Sequence, residues 1–375
     1  MACMAMALPV ATAAVTSAAA ASSIRRSTAR VAASSAATAV ASLRRGRRYL
    51  STYEPAAPLH HEWVVDGRVL PPGETPPPAK NGERGTVLFL HGLLGSGKNL
   101  RGPAKRLTKD DGGLAALLVD LRGHGSTSAL SSSSGRGGAT LSPPHTLEAC
   151  AEDVIGTARS LGLVGDGRSP VGVVGHSFGG RVALEYAAMA QAGGSSADVR
   201  PPRASWILDS VPGSAHGSVA DVVNAVSAVP IPIPSKNHLV EDLTKNRGVD
   251  KAIAMWMTTN LTKSDCGNGF RFAFDLNVAL EVLDEFPRQD YAGRLRAAAG
   301  GRMGGGTLSS GRSSVVNVVM AGKNGAWTDD VVAEVEAVGR DVAGRVRSHR
   351  LPNAGHWVHV DDLDGLMGLM EGSFG

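Results

Sequence analysis

The chain is 375 residues long, 43% hydrophobic and 19% charged, enough for one large α/β domain or two small ones. Its net charge of +4 comes from the amino-terminal stretch: residues 1–53 hold seven arginines, no lysine and no acid, and subtracting those seven leaves −3. That balance excludes an electrostatic case for nucleic-acid binding. The three scattered cysteines, Cys3, Cys150 and Cys266, lack the spacing of a zinc site or a disulfide framework.

Residues 1–50 are rich in Ala, Ser, Thr and Arg and free of acids, the composition of an organellar transit peptide. The arginines are spaced to make a basic amphipathic helix. Arg48-Tyr49-Leu50-Ser51 has the form of a mitochondrial presequence cleavage pattern, with arginine three residues before the cut. The expected address is the mitochondrial matrix, with the chloroplast as the alternative and a disordered Ala-rich tail as the bland one. The Ala-rich run near residues 10–22 is too short and too weakly apolar to span a bilayer, and no integral membrane segment is expected.

A Pro-rich linker and N-terminal strand region fills 51–83. From 84 the chain alternates between strand-like and helix-like segments. Thr86–Leu90 and Leu114–Asp120 read as buried strands. Thr146–Leu161 reads as a helix with Leu147, Ala151, Val154, Ala158 and Leu161 on one face. Val171–Val174 predicts a third strand, followed by a helix after Ser177; Ser205–Leu208 is a fourth. Val315–Ala321, a final strand near Val342–Leu351 and a helix over Leu363–Met370 complete the pattern. Continuous apolar strands alternating with amphipathic helices predict an α/β fold, a mostly parallel sheet with helices on both faces.

Segments 131–138 and 300–314 are Gly/Ser-rich and read as loops. The larger interruption is 212–289, between the first part of the core (84–211) and the second (290–375). It lies between the strand ending near 209 and the one beginning near 315. Placed over the carboxyl ends of the strands, it would cap the region where open α/β sheets bind ligands, so it reads as a helical lid. Its apolar residues Ile253, Trp256, Met257, Phe270, Phe272 and Phe274 would form an acyl-pocket wall or the lid's own core.

Gly175-His176-Ser177-Phe178-Gly179 matches G-x-S-x-G, in which a strand turns sharply into a helix and lifts one serine above the sheet edge. A nucleophile at strained positive φ needs small neighbours, which Gly175 and Gly179 supply. Serine needs a base, and His356, in the loop before the last helix, is the candidate. His359 is expected to pack locally, His176 to point away from the nucleophile, and His124 to sit in a structural turn. An oxyanion hole needs two N–H groups. Phe178, directly after the nucleophile, and Leu93, in the His91–Gly95 loop braced by His91, are the candidates.

The acid is less determined. The usual carboxylate position after the fifth strand holds Asn324, which can orient a histidine but cannot stabilise imidazolium by charge. Asp209, at the tip of the fourth strand, is the first choice and Asp275 the alternative; Asp329 and Asp330 come slightly late in their loop. Gly92 to Asn99 also fits a phosphate-loop pattern at all but its last position, where Asn99 offers no hydroxyl to magnesium.

With these residues in place, the chain resembles the α/β-hydrolase superfamily from about residue 84 to its end. It looks most like the group around α/β-hydrolase domain-containing protein 11 and its bacterial esterase relatives. The likeness rests on 91–96 (His-Gly-Leu-Leu-Gly-Ser), 120–125 (Asp-Leu-Arg-Gly-His-Gly), 175–180, 258–261 (Thr-Thr-Asn-Leu), Gly322-Lys323-Asn324 and 353–359. It implies an α/β-hydrolase fold and a cofactor-free serine hydrolase of small-molecule acyl esters or thioesters, often mitochondrial. Ser177 and His356 carry over as nucleophile and base. For the acid it points two ways: to a lid aspartate in a segment like Phe274-Asp275-Leu276-Asn277, with Asn277 at the acidic position, or to the strand-tip aspartate where Asp209 stands. The competing class is a non-catalytic ligand- or partner-binding protein on the same fold.

Overall fold

The computed structural model describes residues 58–79, 82, 84–109, 113–128, 141–215, 217–264, 267–300 and 314–374. The 1–50 leader, the 131–138 loop and nearly all of the 300–314 loop lie outside them. The described residues form one sheet of eight strands. In chain order these are β1 (His61–Val65), β2 (Arg68–Val69), β3 (Gly85–Leu90), β4 (Leu114–Val119), β5 (Gly172–His176) and β6 (Ala204–Leu208), then β9 (Val315–Ala321) and β10 (Val346–Leu351). β7 (Leu261–Lys263) and β8 (Phe270–Phe272) pair only with each other, as an antiparallel hairpin inside the 212–289 segment.

The spatial order is β10-β9-β6-β5-β3-β4-β1-β2, all parallel except β1, which runs antiparallel to both β4 and β2. From β3 the chain passes to β4 on one side; from β5 it passes to β6 on the other. The carboxyl ends of β3 and β5 therefore bound the crevice at which ligands bind in open sheets of this kind.

The helices are α1 (Arg101–Leu107), α2 (Leu147–Ser160), α3 (Phe178–Ala192), α4 (Gly217–Ser227), α5 (Lys236–Glu241) and α6 (Lys251–Met257). They continue with α7 (Leu276–Glu285), α8 (Tyr291–Ala298), α9 (Asp329–Asp341), α10 (Val358–Asp361) and α11 (Leu363–Met370). Side chains alternate across each strand, so the apolar runs feed two cores. Leu88 and Leu90 join one face with residues of α2, α3, α8 and α9. Val87 and Phe89 join the other with Ala104 of α1 and Leu366 and Met370 of α11. Leu147, Ala151, Val154 and Ala158 of α2 are buried together, and Leu161, just beyond the helix, is half-buried against them.

Two boundaries differ from expectation. The last strand begins at Val346, because Ala343 (φ 53°) and Gly344 (φ 74°) turn the chain immediately before it. Strand β1 sits inside the stretch read as linker and N-terminal strand region, protected by pairing with β4 over its whole length.

The 212–289 segment has its own core. Met257 and Phe274 are buried with Val223, Val226, Leu239 and Leu243, while Ile253, Trp256, Phe270 and Phe272 pack partly buried against them. Leu94 of the β3 loop is buried in the same cluster. Most of the segment's apolar bulk therefore holds the segment itself together. One side chain ties both its ends to α3. Buried Arg181 donates to the carbonyls of Val211 and Gly213 where the chain leaves the sheet, at 2.6 Å each. It also donates to Phe286 O at 3.0 Å and Gln289 Oε1 at 3.1 Å where the chain returns.

Candidate active site

Five adjacent parallel strands, β10, β9, β6, β5 and β3, deliver in that order the His356 loop, the Asn324 turn, Asp209, Ser177 and the Leu93 loop. Residues distant in sequence are thus lined up at one sheet edge by strand order alone.

Ser177 has φ 53° and ψ −115°, a conformation few non-glycine residues adopt, and it is half-buried. Strain of this kind persists only where surroundings fix it. The Ser177 N–H donates to Leu208 O at 2.8 Å, tying the elbow to the tip of β6. A Cβ on Gly175 would lie 2.1 Å from Gly179 O, and one on Gly179 2.2 Å from Leu90 O. Both obstacles are backbone, so glycine is required at both positions by close approach. Phe178 opens α3, and its N–H is one of the orphan donors of a helix start.

Asp209 also sits at positive φ (44°) with a fully buried side chain. Its Oδ1 accepts from Ala321 N–H at 3.0 Å and from Trp327 Nε1 at 2.6 Å. Its Oδ2 accepts from Asn324 Nδ2 at 2.8 Å and from His356 Nδ1 at 2.7 Å. Burial pushes the carboxyl pKa up. The His356 hydrogen bond and charge, with the Ala321 and Trp327 donors, outweigh it and hold Asp209 below the usual carboxylate value. An ionised carboxylate only accepts, so Nδ1 of His356 carries the proton and its Nε2 keeps the lone pair. Asn324 thus hydrogen-bonds the carboxylate rather than the histidine.

The other histidines hold loops. His176 is buried and turned from the elbow; its Nε2 donates to His356 O at 2.8 Å, bracing the base's own backbone. Burial first, then the neighbouring His359 and His356, lowers its pKa well below 6.5, which keeps it neutral for that role. The His359 ring packs edge-on against His176, with centroids 4.6 Å apart. His91 donates from Nδ1 to Gly92 O at 2.8 Å and accepts at Nε2 from Leu121 N–H at 2.9 Å, pinning the β3 loop to the β4 turn. In that loop Gly95 N–H closes a turn on Gly92 O at 3.1 Å with Leu94 at φ 60°, which leaves Leu93 at the turn's second position. His124 is fully buried, its Nδ1 donating to Arg122 O at 2.8 Å; burial lowers its pKa to about 3.

Asp275 stands elsewhere. It caps α7, its carboxylate accepting from Asn277 N–H at 2.9 Å and Val278 N–H at 3.4 Å. Asp329 and Asp330 lie in the first turn of α9. The phosphate-loop likeness does not make a phosphate cradle, because the Gly97 N–H donates to the Asp120 carboxylate at 2.8 Å. Two participants were missed in the sequence: Trp327, a lone aromatic after β9, and Asn324 as partner of the acid. Their nearness to the end of β9 is the one signal that could have pointed to them. Among the described residues no cluster of His, Cys, Asp or Glu could hold a metal ion, and no helix is long and apolar enough to cross a membrane.

An eight-stranded, mostly parallel sheet with a serine elbow at its switch point and a buried Asp-His pair beside it is the arrangement of a hydrolase. Residues 87–367 match the Alpha/beta hydrolase family, and the chain belongs to that family. It is similar to a Mus musculus protein described as sn-1-specific diacylglycerol lipase ABHD11, 27% identical over 285 residues that cover 73% of this chain and 76% of that one. A Danio rerio protein of the same description is 26% identical over 289 residues, 75% of each chain. A solved structure described as a marine microorganism esterase has a TM-score of 0.57 at 16% identity, covering 84% of this chain and 98% of its own, a likeness of fold. The family and these relatives make the chain an esterase-like hydrolase.

Proposed function

We propose that the protein cleaves small-molecule acyl esters or thioesters through an acyl-enzyme on Ser177. The Asp209–His356 hydrogen bond carries this reading, because it leaves His356 Nε2 unprotonated, the form a general base needs. Ser177 Oγ attacks the acyl carbon as Nε2 takes its proton, and the Leu93 and Phe178 N–H groups hold the oxyanion. The imidazolium, stabilised by Asp209, returns the proton to the departing alcohol or thiol. A water activated by Nε2 then releases the acid and frees Ser177.

Labelling with a fluorophosphonate, followed by ester turnover, tests the reading on wild type and Ser177→Ala. Label and turnover in wild type, both lost in folded Ser177→Ala, are expected. Absence of Ser177-dependent labelling in folded protein would leave a non-catalytic binding protein on this fold.

Residues 1–50 are proposed as the address to the mitochondrial matrix, supported by their acid-free, Arg-rich composition. Import into isolated mitochondria with cleavage near Leu50 is expected; import into chloroplasts alone would reassign the compartment.

A further inference from the structure

A second cavity of about 290 Å³ opens between the core loops and the 212–289 segment, away from the Asp209–His356 pair. Its walls are polar. Ser96 and Lys98 come from the β3 loop, Asp120 and Ser126 from the β4 turn, and Asn260 and Arg271 from the strand hairpin opposite.

Asn260 is the observation that points to a ligand. It is only 3% exposed, and neither its Oδ1 nor its Nδ2 has a hydrogen-bond partner. Its backbone is fixed, since Asn260 O accepts from Ala273 N–H at 2.8 Å across the hairpin. Each buried polar group left unmade costs about 1–3 kcal/mol, so an amide orphaned at both ends of its head group is a standing cost unless something occupies the cavity.

The charge decides what fits. Lys98 and Arg271 both line the space. The one carboxylate there is already committed: Asp120 Oδ1 accepts from Gly97 N–H, and Oδ2 from Ser126 N–H at 2.8 Å and His60 Nδ1 at 2.9 Å. A cation would meet two like charges, and an acyl chain would meet polar walls. The volume, at the small end for ligand pockets, suits a compact group.

We propose that this cavity is a phosphate site. Lys98 and Arg271 supply the charge, Asn260 Nδ2 donates to a phosphate oxygen, and Asn260 Oδ1 accepts from a phosphate hydroxyl. Bound there, phosphate joins the hairpin to the loop that carries Leu93. The site stands independently of any role for Ser177.

Calorimetric titration with inorganic phosphate near pH 7, at constant ionic strength, tests it on wild type, Ser177→Ala, Lys98→Gln and Asn260→Leu. Saturable one-to-one binding to wild type and Ser177→Ala, weakened at least about tenfold in Lys98→Gln and Asn260→Leu, is expected. Lys98 is exposed, so Lys98→Gln keeps the test alive if Asn260→Leu does not fold. No saturable heat, unchanged binding in folded Lys98→Gln, or displacement of phosphate by glycerol overturns the proposal. A second arm locates the phosphate. Competition by phosphate against a phosphate-bearing acyl ester, but not its neutral counterpart, supports the site with the phosphate on the substrate. Saturable binding without competition supports it with phosphate as a free ligand.

Discussion

The carboxylate of Asp209 and the imidazole of His356 meet at 2.7 Å although 147 residues separate them in the chain. The aspartate is wholly buried and the histidine side chain 40% exposed, so one member of the pair is fixed and the other faces the crevice. Four donors converge on the carboxylate, and its orientation is set before any substrate arrives.

Replacing Asp209 by Asn should lower ester turnover on the order of 10⁴-fold. The new amide would point N–H groups at His356 Nδ1, favouring the tautomer whose Nε2 is protonated and cannot act as base. Steady-state kinetics with KM and kcat separated checks this, and near-normal kcat in folded Asp209→Asn would remove Asp209 from the acid's role.

Asn324 tests which residue orients the histidine. In Asn324→Ala the carboxylate loses one of its four donors, and roughly tenfold in kcat is the expected loss, the scale of one charge-assisted hydrogen bond. A loss as deep as that of Asp209→Asn would mean that Asn324 itself is the orienting residue.

Arg181 holds the ends of the 212–289 segment. Arg181→Met leaves four buried oxygens without their donor and should cost at least about 3 kcal/mol. Denaturant unfolding with limited proteolysis checks it, with new cleavage sites inside 212–289. Arg181→Lys should rescue little, because a point-like ammonium cannot span the same four acceptors.

Glu185 gives the fold a pH dependence away from the site. Burial raises its pKa from 4.5 to about 7, opposed by Arg294, whose Nε lies 2.9 Å from Oε2. The folded state therefore binds more protons than the unfolded between those values, and stability falls as pH rises through that window. Glu185→Gln should remove that fall, on the order of 3 kcal/mol across it. Urea denaturation at pH 5 and pH 7.5 reads the difference, and equal slopes for both proteins would contradict it.

Much of the architecture was legible because its signals are local. Apolar runs such as Val87–Leu90 must be buried on both faces, and the glycines around Ser177 mark a place where only hydrogen fits. The strand β1 was harder to see. Its residues pair with β4 through backbone hydrogen bonds that leave no strong pattern in side chains. Asp275 and Asp209 were indistinguishable as acids, since both are aspartates beside turns; one accepts from a helix start and the other from four side-chain and backbone donors of two strands' loops.

The sequence by itself determined the alternation of strands and helices, the serine in its elbow and the histidine before the last helix, because periodicity and steric demands are written in neighbouring residues. The tertiary structure alone decided which carboxylate stands behind His356, that Asn324 and Trp327 serve it, and that Arg181 closes both ends of the 212–289 segment. Those choices follow from strand order. Only when β6, β9 and β10 lie side by side do residues 209, 324 and 356 come within reach of one another.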